Sequence, residues 1–96
     1  MSYIVHNVDD RRKAWIGPWE VEDEALVVSK LFAGDEGRTV IYQDSAGGAE
    51  AGTLASWNST TIFVRFSKGD TAAACNPGDL RFAIRDASGD YYQARI

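Results

Sequence analysis

The chain reads as a mainly-β domain: a small partial barrel of about five strands over residues 37–85, preceded by an α/β extension over residues 1–36 that holds one helix. Three observations predict it. Runs of β-branched and aromatic residues recur at roughly eight-to-ten-residue spacing from Arg38 onward. Each run is bounded by Gly, Asn, Asp, Ser or Pro, residues that supply turn conformations. Ile62, Val64 and Phe66 alternate with Phe63 and Arg65, the period of a strand with one buried face.

The strands follow in order. Arg38 to Gln43 is rich in strand formers, and Asp44 to Gly48 is a loop. Glu50 to Trp57 is a second strand, with Gly52 predicted to mark a bulge or bend. Asn58-Ser59 turns the chain into Thr60–Ser67, and Ser67 to Asp70 turns it again into Thr71–Cys75. Asn76-Pro77-Gly78-Asp79 has the composition of a single helical turn or tight loop. Leu80 to Arg85 is the fifth strand, with Leu80, Phe82 and Ile84 expected inward and Arg81, Ala83 and Arg85 outward. A turn at residues 86–90 leaves Tyr91–Ile96 as a candidate sixth strand. A closed or nearly closed sheet suits strands this short, because closure pairs their edges.

The first third is different in texture. Tyr3 to Asn7 can be a strand, and the mixed-sign run Asp9-Asp10-Arg11-Arg12-Lys13 reads as a solvated turn. Pro18, then Glu20, Glu22, Asp23 and Glu24, then Lys30, is the charge order of a helix, and it predicts one over residues 20–33. Val21, Ala25, Val28, Leu31 and Phe32 would share its apolar face. A strand over Leu26–Phe32 is the rival, since Val27-Val28 is β-branched.

Composition narrows the function. The chain has 96 residues, enough for one domain, and 45% of them are hydrophobic, which supports a packed core. Only one cysteine, Cys75, is present, so no intramolecular disulfide is available and a reduced cytoplasmic setting is expected. No secretion signal or membrane span is read from the sequence, and Asn58-Ser59-Thr60 is taken as turn chemistry rather than a glycosylation site. Net charge is −4, placed unevenly. Residues 1–50 hold five Lys/Arg against ten Asp/Glu, and residues 51–96 hold five against four. An acidic whole disfavours non-specific binding to phosphate backbones.

No catalytic set is legible. His6 is the only histidine and Cys75 the only thiol; a Cys–His pair would need them in contact with a third group to orient the imidazole, and they lie at opposite ends of the pattern, while a zinc site lacks ligands. No phosphate-cradling glycine loop is present. Neither a metal nor a cofactor is expected, and the chain is read as a non-enzyme.

The segments Gly37–Tyr42, Gly52–Asn58, Ile62–Phe66 and Thr71–Leu80 together resemble a loose group of small phage- and prophage-encoded proteins with an SH3-like, Tudor-like or KOW-like barrel. The resemblance covers about half of the chain, and residues 1–36 lie outside it. It implies a binding module rather than a particular partner. In such barrels rim aromatics take extended peptides or cationic side chains. Here that points to Trp57 and Tyr42, then Phe63, Tyr91 and Tyr92, with Trp15 and Trp19 in the N-terminal part. A protein-interaction domain from a phage, prophage or mobile element is the leading expectation, and homo-oligomerisation fits it. The alternative is a small RNA- or DNA-binding barrel using Arg65, Lys68, Arg81 and Arg85, with an aromatic such as Trp57 stacking a base.

Overall fold

Alternate side chains of the strand Thr39–Gln43 enter two different cores, and that division organises the molecule. The computed structural model describes residues 1–69 and 71–84. Seven strands form one sheet: β1 (Ser2–Asp10), β2 (Trp15–Glu22), β3 (Thr39–Gln43), β4 (Ala49–Trp57), β5 (Ile62–Arg65), β6 (Ala73–Cys75) and β7 (Leu80–Phe82). The path runs β2-β1-β4-β3-β7, and β5 and β6 continue from β4. All pairs are antiparallel except β1 with β4, which meet in parallel at Val8↔Ala49 and Asp9↔Glu50. The sheet is curled but not closed. Its ends, β2 and β7, touch through the bridge Val21↔Ala83 and the Ile84 N–H donating to the Glu20 carbonyl at 3.0 Å.

Ile41 joins Val5, Val8, Trp19, Val21, Ala51 and Ala83 in a first core beneath the β1–β2 hairpin. Val40 joins Leu26, Leu54, Ile62, Val64, Leu80 and Phe82 in a second, with Tyr42, Trp57, Phe66 and Cys75 packed at its margin. Strands covered on both faces read as continuous apolar runs, which is why Val40-Ile41-Tyr42 shows no alternation. Phe82-Ala83 is the same case: Ala83, expected outward, is fully buried in the first core.

The helix over residues 20–33 does not form, and no α-helix occurs among the described residues. Glu20–Glu22 completes β2, with Val21 opposite Tyr3. Beyond it the Asp23 N–H donates to the Met1 carbonyl at 3.0 Å and the Leu26 N–H to the Leu80 carbonyl at 2.9 Å. Those donors are spent across the chain, so no i→i−4 ladder starts. Two 3₁₀ turns, Val28–Lys30 and Ala33–Asp35, carry the chain to β3. The rival strand over Leu26–Phe32 does not form either. Residues 2–10 and 15–22 of the N-terminal third are therefore strands of the same sheet.

Two further expectations change. Gly52 carries no bulge; the register slips instead between Leu54 and Ser56. The residue is glycine because a Cβ there would lie 2.4 Å from Val64 Cγ1 and 2.8 Å from the Arg65 carbonyl oxygen. Asn76-Pro77-Gly78-Asp79 does make a single 3₁₀ turn, capped by Asn76 Oδ1 accepting from the Gly78 N–H at 3.0 Å. The sixth strand expected at Tyr91–Ile96 lies outside the described residues.

Candidate functional site: the tip of the β1–β2 hairpin

The hairpin tip is built from the mixed-charge run. Asn7 (φ 58°) takes the left-handed conformation where the β1–β2 register slips, between Val5 and Val8. Ala14 (φ 52°) does so in the turn. Asp9 and Asp10 end β1 and the turn begins at Arg11; Asp9, Arg11 and Lys13 are exposed as the sequence leads one to expect, but Asp10 is fully buried. Its carboxylate takes a two-pronged contact from Arg12, Nε to Oδ1 at 2.9 Å and Nη2 to Oδ2 at 3.0 Å. The Arg12 N–H also donates to Oδ1 at 3.2 Å, and Nη1 reaches Thr53 Oγ1 on β4 at 2.6 Å. Beside it, Arg11 Nη2 meets Glu50 Oε1 at 2.6 Å. Both contacts tie the hairpin to β4 where the parallel ladder is only two residues long.

On this anchored tip, Trp15 is 38% and Ile16 70% exposed. Register places them on opposite faces of β2, Trp15 opposite buried Asp10 and Ile16 opposite exposed Asp9. The Trp15 indole lies over Gly17, where a Cβ would come within 2.3 Å of Cζ2. Lys13 holds its Nζ 5.3 Å from the Trp19 ring centroid. Trp19 itself is fully buried: it belongs to the core, not to a binding surface.

The other sequence candidates do not converge on this tip. Tyr42 and Trp57 are half-buried against the second core, Tyr42 meeting Phe66 edge-on at 6.1 Å. Phe63 is half-buried on β5. Arg65 and Lys68 are exposed. Arg81 is engaged: its Nε donates to the Asp23 carbonyl and its Nη1 to Gln43 Oε1, each at 3.3 Å, and the guanidinium lies over Tyr3. Arg85, Tyr91 and Tyr92 lie outside the described residues. Of the described cations, Arg81 is held by internal contacts while Arg65 and Lys68 are exposed.

His6 and Cys75 sit on β1 and β6, which do not pair. Burial, then the Asp79 and Glu50 carboxylates, push the Cys75 thiol above its ordinary pKa, the opposite of an activated nucleophile. Among the described residues no three His, Cys, Asp or Glu side chains are placed to share a metal ion. No helix among them is long and apolar enough to cross a membrane. A shallow depression of about 500 Å³, lined by Met1, Ser2, Glu22, Asp23, Glu24 and Ile84, opens at the opposite end of the hairpin.

Sequence reasoning found Trp15 but missed Ile16 beside it. The signal in the sequence was an apolar β-branched residue between Trp15 and the Gly17-Pro18 pair; its pairing with Asp9 is visible only in the structure. No family model, curated protein or solved structure matches the chain.

Proposed function

We propose that this chain is a non-catalytic protein-docking domain that presents the β1–β2 tip to a partner, on a scaffold of the SH3-like kind. The single observation that carries the docking reading is the adjacent pair Trp15 and Ile16, exposed on a tip that the ion pairs Arg12–Asp10 and Arg11–Glu50 anchor. Large apolar side chains on an anchored tip bind with little ordering cost, and tryptophan is enriched among the residues that dominate interfaces.

The succession of strands supports the scaffold reading. β4 is long and shared, pairing with β3 through its first half and with β5 through its second, while β6 leads through a 3₁₀ turn into β7, which returns to β3. The resemblance to phage and prophage barrels makes a host protein the natural partner class. The test compares proteins retained from host lysate by the tagged chain and by Ile16→Glu. Loss of one retained protein on the variant, with unchanged circular dichroism, supports tip docking. An identical set overturns it. The nucleic-acid alternative rests on Arg65 and Lys68 and predicts binding to mixed-sequence RNA or DNA that weakens steeply with salt.

A further inference from the structure

Resting on that docking reading, we infer that the partner is a basic protein segment, which docks on the outward face of the β1–β2 hairpin through both apolar and cationic side chains. Cross-strand register decides what that face carries. The register slip lies on β1, so Ile16, Glu20 and Glu22 of β2 share one face. Opposite them on β1 stand Asp9, Ile4 and Ser2. Five of these six residues are exposed, and Glu20 is half-buried with its carboxylate accepting from the Ser2 hydroxyl. The alternate residues of β2 face the other way, Trp19 and Val21 into the first core. The surface therefore takes Ile16, and not Trp15, from the tip.

The sign of the partner follows from charge. Neither strand contains a Lys or Arg, and His6 is the only basic side chain in them. The outward acids Asp9, Glu20 and Glu22 take part in no ion pair among the described residues, whereas the inward acid Asp10 is paired with Arg12. Arg11, two residues past Asp9, pairs with Glu50. β2 runs on into exposed Asp23 and Glu24, which with Ser2 and Glu22 help line the depression of about 500 Å³ at the end of the hairpin. Against three carboxylates there, the described lining supplies one cation, the Met1 α-amino group.

The apolar component follows from Ile4 and Ile16, 43% and 70% exposed. Four residues separate Ile16 from Glu20, so the two isoleucines stand about 13 Å apart along the strands. Each meets a carboxylate across the ladder, Ile4 opposite Glu20 and Ile16 opposite Asp9. A segment that lays apolar side chains on the isoleucines brings its neighbouring side chains beside those carboxylates. Lys or Arg is favoured there and Asp or Glu repelled, and the methylene stems of the cations can themselves cover apolar surface.

The experiment titrates the whole chain with synthetic peptides as long as the eight-residue β2, followed by amide NMR shifts. One peptide alternates Lys with Leu, the second Glu with Leu and the third Lys with Ser. The Lys–Leu peptide is expected to shift amides of β1 and β2, and the Lys–Ser peptide to bind about fivefold or more weakly. The Glu–Leu peptide should shift nothing up to about 2 mM. Asp9→Lys or Glu22→Lys weakens association with the Lys–Leu peptide about fivefold or more. Glu36→Lys, the same charge change at an exposed site on the segment leading into β3, leaves it within about twofold at physiological ionic strength.

A Lys–Leu peptide that shifts nothing up to about 2 mM overturns the basic-partner inference. A Glu–Leu peptide that binds as well overturns it too, and so does an affinity that Glu36→Lys lowers as much as Glu22→Lys. The docking reading is decided separately, by what Ile16→Glu loses from host lysate. A protein lost with Ile16→Glu but retained by both Asp9→Lys and Glu22→Lys keeps tip docking and removes the basic partner.

Discussion

Replacing Asp10 by alanine tests whether the buried ion pair, rather than the short parallel ladder, holds the hairpin on the sheet. The carboxylate has no exposure, and Arg12 meets it through Nε and Nη2 while keeping only about a sixth of its own side chain exposed (16%). Removing the acid strands a guanidinium in low dielectric with Thr53 as its remaining acceptor in this network. Breaking one side of such a pair costs about 3–5 kcal/mol. A domain of this length has about 5–14 kcal/mol in hand, so urea denaturation followed by circular dichroism will show a large fall in midpoint.

Two controls make the reasoning refutable. Arg11→Ala breaks a pair whose arginine is 52% exposed, and should cost less than about 1 kcal/mol. Asp10→Leu with Arg12→Met removes both charges and refills the space, and should recover most of the loss, since apolar replacement of a buried pair is often neutral or stabilising. If Asp10→Ala costs no more than Arg11→Ala, the pair does not anchor the hairpin. If the double variant is as unstable as Asp10→Ala, the loss belongs to packing and not to an uncompensated charge.

Gly52→Ala should lose about 1–3 kcal/mol by overpacking. Adding Val64→Ala should return only part of this, because the Arg65 carbonyl at 2.8 Å is backbone and cannot rotate away; denaturation midpoints of the single and double variants decide it. Trp19→Ala should cost about 3–5 kcal/mol as a core truncation, and Trp15→Ala only about 1–2 kcal/mol, since part of its ring is already in water; equal losses in thermal melts would contradict the split between core and surface. Cys75, with its thiol pKa raised first by burial and then by Asp79 and Glu50, should alkylate with iodoacetamide more slowly than a free thiol and faster in Asp79→Asn. The folded state keeps that proton to higher pH than the unfolded chain, so its contribution to stability is complete below the ordinary thiol value and falls as pH rises above it.

Much of the sheet after residue 37 was legible. Five runs of strand formers became β3 to β7, with boundaries shifted by a residue or two except that β7 ends at Phe82 rather than Arg85, because turn residues such as Asn58 and Asn76 announce themselves by their own backbone bonding. The N-terminal third misled for a physical reason. Trp19-Glu20-Val21-Glu22 alternates with period two, as a strand should, but the same acids after Pro18 also satisfy the charge order of a helix start. Long-range pairing with Tyr3 and Ala83 decided between them, and no local pattern encodes that. The burial of Asp10 was hidden likewise. Its arginine is two residues away, but the Thr53 hydroxyl that completes the network is 41 residues from Arg12.

That buried pair also bears on function. In an antiparallel hairpin the residues opposite Trp15 and Ile16 are Asp10 and Asp9. One aspartate is consumed by the fold and its neighbour is left outside. Period-two alternation does this: the inward acid is paired with Arg12 and fixes the tip on β4, while the outward acid stays exposed opposite Ile16. In the docking reading, anchoring and recognition are divided between opposite faces of one strand. The two roles should separate under mutation. Asp10→Leu with Arg12→Met should preserve association while it preserves the fold, and Ile16→Glu should abolish association in a domain as stable as the parent. If instead every loss of association tracked a loss of stability across these variants, the tip would be a structural element only, and the exposure of Trp15 and Ile16 would have no role in binding.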